Sequence, residues 1–114
     1  SDYANCIEAA TAVIAQQPPP AIAAEARLLW GQALLRQGER QPALEQLELG
    51  QQLAQTAAAE RVLSNCLRVT GIIFYEQGDY ERAWDYYEEA LIIARQCHYL
   101  WSEAASLNNQ GILA

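Results

Sequence analysis

The chain contains no lysine and no methionine, and its 114 residues include three cysteines and a single histidine. Positive charge therefore rests on arginine alone, and seven arginines against fourteen acidic residues give a formal net charge of −7. The arginines are spread singly among the acids, whereas a protein that binds nucleic acid through its phosphates clusters its cations. We therefore predict that the partner is not a nucleic acid, and the net charge favours a basic or helical peptide.

Long hydrophobic runs are also missing. No stretch reaches the roughly 18 apolar residues that a membrane span requires, and no charged start followed by an apolar run indicates a secretory signal. We therefore predict a soluble chain with no membrane partner. The first residue is Ser1 rather than Met, and we expect the chain to be a segment of a longer protein.

The three cysteines, Cys6, Cys66 and Cys97, are odd in number and form no C-x-x-C motif, so a disulfide framework is not expected. We interpret them as small core-filling thiols. Free thiols are typical of a reducing compartment, and we predict a cytoplasmic location. One histidine and three dispersed cysteines do not predict a metal site, and no glycine-rich loop predicts a phosphate cofactor, so no cofactor is expected.

Cys97 and His98 are the only neighbours that suggest nucleophilic catalysis. Adjacent residues on a helix point about 100° apart, and no Asp or Asn is placed by sequence to orient the histidine. We therefore predict that the protein is not an enzyme.

An internal repeat is the strongest feature of the chain. Gly31, Gly71 and Gly111 are equally spaced, and the same interval separates Ala43 from Ala83. The same shift aligns Gln37-Gly38-Glu39 with Gln77-Gly78-Asp79. Apolar residues make up 52% of the chain and charged residues 18%, which is ordinary globular usage. The repeat period of about 40 residues predicts a solenoid.

Within each repeat the apolar spacing is helical, for example at Leu67, Thr70, Gly71 and Phe74. Gly38 and Gly78 are expected to end one helix in the left-handed conformation, and Asp79 to cap the next. We predict an all-α antiparallel helix-hairpin solenoid with six helices, at about 2–17, 21–37, 40–57, 60–77, 80–97 and 99–114. The small residues Gly71 and Ala83 are expected to let facing helices approach closely.

These motifs resemble a tetratricopeptide repeat. The best copy runs Leu67-x-x-Thr70-Gly71-x-x-Phe74, then Gly78-Asp79-Tyr80, then Ala83-x-x-x-Tyr87 and Ala90-Leu91. A weaker copy runs from Trp30-Gly31 to Leu47, and a third begins at Leu107. The resemblance divides the chain into the end of a preceding repeat (1–20), two repeats (21–60 and 61–100) and the start of another (101–114).

The repeat is longer than the period of about 34 that is usual for the family, which implies longer helices. Repeats of this length resemble the sensor regions of bacterial signalling ATPases that regulate transcription, and the peptide receptors of quorum sensing. The resemblance therefore implies a protein- or peptide-binding scaffold, as a regulatory or sensor module of a larger signalling protein. Two alternatives stay open, a structural segment that self-associates and a sensor of a small-molecule effector.

In tetratricopeptide solenoids the first helices of successive repeats line a concave face that commonly holds the ligand. Carried over by position, the resemblance implies concave-face residues that are polar, charged or apolar: Gln32, Arg36, Asn65, Arg68, Ile72, Tyr75 and Asn108. Glu25, Leu28, Leu35 and Glu76 also belong to this face, with Ala105, Asn109 and Ile112. The alternative is that all of them are ordinary solvated helix residues.

Three further groups have a structural interpretation. The aromatic residues at Trp30, Trp84, Trp101, Tyr80, Tyr86, Tyr87 and Tyr99 are expected to pack mostly between helices rather than to stack bases or sugars. The acidic cluster of Glu81, Asp85, Glu88 and Glu89 is expected to be a solvated face. Leu107, Ile112 and Leu113 form an apolar end without a polar cap, which predicts docking on further repeats or on another copy.

Overall fold

The computed structural model describes residues 1–97 and 100–113, and within α6 it leaves undescribed the side chains of 100–102 and 113. The described residues form six helices: α1 (Asp2–Ala15), α2 (Pro20–Arg36), α3 (Arg40–Thr56), α4 (Glu60–Glu76), α5 (Tyr80–Gln96) and α6 (Leu100–Leu113). The predicted all-α class and the six helices are confirmed, and no strand occurs in this part of the chain.

The helices stack as antiparallel hairpins in two layers. Each helix packs on the next one along the chain, and α2, α4 and α6 also contact one another in sequence. Within the described residues, no Cα atoms of α1 and α3, or of α3 and α5, lie within 8 Å of each other. We call α2, α4 and α6 the inner helices and α1, α3 and α5 the outer helices. In this part of the chain the inner helices contact one another and the outer helices do not. The layer of inner helices therefore forms the concave face.

The turns between α2 and α3 and between α4 and α5 are built alike. Gly38 and Gly78 have φ angles of 80° and 81°, in the region that only glycine enters without strain. The amide that follows each glycine closes the helix end, with Glu39 N donating to Leu34 O and Asp79 N to Phe74 O at 2.9 Å. Ala58, which connects α3 to α4, also has a positive φ of 52°.

The helix starts differ in how they are capped. The Asp79 carboxylate accepts a hydrogen bond from the Arg82 amide at 3.2 Å, as predicted for the start of α5. Its equivalent Glu39 makes no side-chain cap at the start of α3. Pro20 is the first residue of α2, where its missing N–H is harmless.

The small residues of the repeat lie where helices approach closely. A Cβ atom added to Gly31 would lie 2.9 Å from Leu47 Cγ and 3.3 Å from the Ala43 carbonyl oxygen. At Gly71 the side chain that approaches is the Tyr87 ring rather than Ala83, which was the expected neighbour. Gly111 has no described atom within 4 Å of an added Cβ. The close approach is therefore made in both full hairpins, and at α6 it has no counterpart.

The aromatic residues divide between the core and the surface. Tyr87 is buried, and Phe74 stacks on Tyr86 with ring centroids 5.5 Å apart. The packing expectation is wrong for Trp84, which is 40% exposed, and for Tyr80, which is 57% exposed. Trp84 follows the buried Ala83 and is rotated about 100° from it around the helix, so it does not share the buried face. Tyr99 and the Trp101 side chain lie outside the described residues.

Among the described residues, no helix combines the length and the apolar character that a membrane span needs.

The core is centred on α4, which contacts both hairpins, and its buried cluster is Leu28, Ala43, Leu47, Cys66, Val69 and Ile73.

Candidate functional site

A groove of about 620 Å³ lies on the concave face between α2 and α4, where the first turn of α1 closes one end. Its walls are two inner helices in contact, so their spacing is set by the core beneath them. The lining residues are Tyr3, Cys6, Leu29, Gln32, Ala33, Leu35, Arg36, Arg68, Val69, Ile72 and Glu76. A groove of this size can hold a few side chains of a peptide.

The apolar part of the groove comes from both walls. Leu29 is exposed on α2, and Ile72 is half-buried on α4. Tyr3 of α1 is also exposed at the end of the groove. The Cys6 thiol donates to the Leu29 carbonyl at 3.9 Å, a weak bond that helps to fix α1 against α2. These side chains offer apolar surface that a ligand could bury.

The charged part contains two guanidinium groups and one carboxylate. Arg36 is exposed near the end of α2, whereas Arg68 is only 8% exposed on α4. The Glu76 carboxylate forms a largely exposed ion pair with Arg40 at 3.7 Å. Such a pair contributes little to stability, but it partly neutralises Glu76. The groove is therefore locally richer in positive charge, although the whole chain is acidic.

The charged residues of the groove also affect the pKa of Tyr87, a buried residue of the core. The pKa of Tyr87 is raised to about 12, mainly because burial disfavours the charged form, and Tyr75 and Glu76 raise it further. Arg68 lowers the pKa of Tyr87. The Tyr87 hydroxyl is therefore protonated at neutral pH, and it lies within electrostatic reach of Arg68 and Glu76.

The structure brings four of the seven predicted site residues into this groove: Gln32, Arg36, Arg68 and Ile72. The other three do not line it. Asn65 is half-buried on α4, Asn108 is exposed on α6, and Tyr75 is exposed with its ring 5.4 Å from that of Tyr80. Leu28 was also expected on the concave face, but it is buried in the core because it packs with the α2–α3–α4 cluster.

Sequence reasoning missed the groove residues Tyr3 and Cys6. They lie on an outer helix, and only inner helices were considered as walls. Leu29 and Val69 were missed as well, although they occupy the same position in successive repeats. This equivalence in the sequence could have identified Leu29 of α2 and Val69 of α4 as residues of one groove.

The three cysteines differ in burial. Burial raises the pKa of the Cys66 thiol to about 12, so it is neutral and unreactive at physiological pH. The Cys97 thiol lies 3.7 Å from the Ala94 carbonyl, and His98 is outside the described residues. Cys6 and Cys97 are half-buried rather than core-filling as expected. In the part of the chain that the structure describes, no three His, Cys, Asp or Glu side chains are grouped to hold a metal ion.

A second, smaller cavity of about 300 Å³ lies between the outer helices α3 and α5, lined by Gln51, Arg82, Asp85, Tyr86 and Glu89. Its lining is mainly polar. Glu88 is instead turned toward α6, where its carboxylate accepts from Gln110 Nε2 at 2.6 Å. The predicted acidic face is therefore divided between this outer cleft, solvent and a contact between helices.

Comparison with known proteins adds no relative to this description. No protein-family model, no curated protein and no solved structure matches the chain.

Proposed function

We propose that this chain is a tetratricopeptide-type interaction module whose α2–α4 groove binds a peptide segment of a partner protein. The observation that carries the proposal is the groove itself, which is lined by apolar side chains together with Arg36 and Arg68. The occupant that fits is a short segment with an apolar side chain followed by a carboxylate.

Each part of the groove contributes a different kind of affinity. An apolar ligand side chain that is fully buried against Leu29 and Ile72 would contribute about 1.5–3 kcal/mol. A carboxylate bound by the planar fork of an arginine adds direction, since two parallel N–H donors fix its orientation. Arg68 is held by its surroundings, so it loses less side-chain entropy on binding than an exposed arginine would.

The local charge refines the expectation from composition. The net charge of −7 attracts basic partners at long range. The groove contains two guanidinium groups and one partly neutralised carboxylate, so at contact distance it favours an acidic group. We therefore propose a partner segment with a terminal or side-chain carboxylate in an otherwise uncharged or basic context.

The proposed role is regulatory or sensory, within a larger cytoplasmic signalling protein, and involves no chemistry on the ligand. Three free thiols are consistent with a reducing compartment.

The test is fluorescence anisotropy with labelled peptides that differ only in a C-terminal carboxylate or amide and in one apolar residue. We expect the carboxylate form to bind at least about tenfold more tightly, a difference of about 1.4 kcal/mol. Arg36→Gln and Arg68→Lys should remove this preference. Arg61→Gln is the matched control, because Arg61 is exposed on α4 outside the groove.

Equal affinity for the two peptide forms, or an equal loss in Arg61→Gln, would contradict the proposal. A thermal shift with a panel of small carboxylic acids, abolished by combining Arg68→Ala with Asn65→Ala, would instead favour the small-molecule sensor.

A further inference from the structure

An acidic side chain, Glu76, lines the groove that we propose to bind a carboxylate. Glu76 is the last residue of α4, and its repeat equivalent Arg36 is the last residue of α2. These two inner helices contact each other and run in the same direction, so both side chains lie at the same end of the groove. Glu76 therefore presents a second carboxylate that can compete with the ligand for Arg36.

The structure shows Glu76 paired with a different arginine. Its carboxylate lies 3.7 Å from the Arg40 Nε atom. Arg40 is the first residue of α3 and does not line the groove. Arg36 forms no ion pair with any described residue. Glu76 thus lies near a turn that has one arginine on each side of Gly38, and it pairs with the arginine outside the groove.

The charges of the helix ends favour this pairing. The start of α3 has no side-chain cap and no acidic residue in its first turn, so its partial positive charge attracts a carboxylate. Pairing with Arg40 brings Glu76 toward that start, whereas pairing with Arg36 would bring it toward the negative end of α2. The Arg40 and Glu76 side chains are 49% and 41% exposed, and a pair of this kind is weak. Glu76 can therefore change partner when Arg40 is removed.

We propose that Arg40 is a positioning residue for the groove, because by holding Glu76 it leaves the Arg36 guanidinium available to the ligand carboxylate. The inference rests on the proposed peptide-binding function. Packed helices have axes about 8–10 Å apart, a distance that a glutamate and an arginine side chain can bridge together. Without Arg40, Glu76 turns to Arg36 and occupies the donors that the ligand needs. The groove then loses its preference for an acidic group, although no residue that lines it has changed.

The arrangement is specific to the first full repeat. The equivalents of Arg36 and Arg40 one repeat later are Glu76 and Tyr80. Tyr80 packs its ring against Tyr75 instead of forming an ion pair. The pair of arginines that flanks Gly38 is therefore not a requirement of the turn itself, which Gly78 forms in the next repeat without them.

NMR titration with one peptide in two forms tests this role. The probe is Ala-Ala-Leu-Ala-Ala with either a C-terminal carboxylate or an amide. The leucine is placed two residues before the carboxylate because Ile72 lies one helical turn, about 6 Å, before Glu76, and two extended residues span about the same distance. The measured quantity is the ratio of the two dissociation constants, which a general loss of folded protein does not change.

In the unaltered chain we expect the carboxylate form to bind about tenfold more tightly than the amide form. Arg40→Gln should reduce this ratio to about threefold or less, a change that an exposed ion pair can produce. Glu76→Gln should increase the ratio. The two changes combined should give the ratio of Glu76→Gln alone, because Arg40 has no carboxylate left to hold.

Arg82→Gln is the matched control and should leave the ratio unchanged. Arg82 also forms an exposed ion pair near the start of a helix, but it lies outside the groove. An unchanged ratio in Arg40→Gln would overturn the proposal. An equal loss on Arg40→Gln with and without Glu76 would overturn it as well, because that result indicates a general effect of charge.

The arginine Nε signals in the same spectra test the pairing without any peptide. The Arg36 signal, identified by its loss in Arg36→Gln, should move in Arg40→Gln and return when Glu76→Gln is added. If this signal moves but neither peptide form is preferred, the proposed groove function fails while the exchange of partners is supported. If the signal does not move, the exchange is wrong whatever the peptides do.

Discussion

Gly71 of α4 lies directly under the ring of Tyr87 on α5, so that an added Cβ would be 2.6 Å from Tyr87 Cε1. The Tyr87 ring is buried, and Gly71 is part of the backbone of α4. Neither of them can therefore move away freely from an added side chain. Gly71→Val is expected to destabilise the fold by about 1–3 kcal/mol through overpacking. The midpoint of urea unfolding, measured at low protein concentration, checks this value.

Gly111→Val is the matched control for that experiment, because Gly111 also lies within a helix but has open space around it. We expect its unfolding midpoint to stay within experimental error or to rise slightly. Equal losses in the two variants would mean that helix propensity rather than the Tyr87 contact explains the effect.

The buried thiol of Cys66 and the buried phenol of Tyr87 predict a loss of stability at alkaline pH. Burial raises the pKa of Cys66 from 9.0 to about 12 and that of Tyr87 from 10.0 to about 12. Between pH 9 and 12 the unfolded chain loses these protons while the folded chain retains them, so the free energy of unfolding falls as pH rises. Each group contributes a slope of up to about 1.4 kcal/mol per pH unit.

Urea unfolding at several pH values between 8 and about 11 measures that slope. Cys66→Ala and Tyr87→Phe should each make the slope shallower, whatever they do to stability at pH 7. A slope that is unchanged when both substitutions are combined would contradict the assignment.

The Ser64 hydroxyl donates to the Ala90 carbonyl at 2.9 Å in a fully buried contact between α4 and α5. We expect Ser64→Ala to cost about 0.5–1.5 kcal/mol, because the carbonyl loses a buried partner. Thr56→Ala is the control, since its hydroxyl bonds to Gln52 O at an exposed position and should matter little. Thermal unfolding followed by circular dichroism gives both values. A smaller loss in Ser64→Ala than in Thr56→Ala would count against the buried bond.

Asp79 and Glu39 occupy equivalent helix starts, but only Asp79 forms a cap. Asp79→Ala should cost about 1 kcal/mol, because the Arg82 amide loses its acceptor. Glu39→Asp should gain a similar cap on α3 and raise the unfolding temperature. Glu39→Ala is the comparison variant for Glu39→Asp. If the unfolding temperature of Glu39→Asp is not higher than that of Glu39→Ala, α3 cannot be capped in this way.

The helices and turns were predictable because they depend on local rules that repeat. Gly38 and Gly78 recur at the same position of successive repeats, and each ends a helix with a positive φ. The residue that faces a given glycine was harder to predict. Tyr87 rather than Ala83 fills the space above Gly71, because the path of α5 across α4 is set by packing and not by the sequence spacing alone.

The groove was predictable only in part, for a related reason. The repeat predicts which positions share a helix face, and four residues of the predicted face, Gln32, Arg36, Arg68 and Ile72, line one groove. It does not predict how far successive helices rotate, and Asn65 and Tyr75 lie outside the α2–α4 groove. The contribution of Tyr3 was missed because it lies on the outer helix α1, and only inner helices were considered as walls of the groove.

The missing contact between α3 and α5 has a mechanical consequence. No described Cα atoms of α3 and α5 lie within 8 Å of each other, and α4 packs on both helices, so we expect the width of the polar cleft beside Gln51 and Arg82 to depend on how α3 and α5 pack on α4. A ligand that changed the packing of α2 against α4 would therefore be expected to change the curvature of the inner layer.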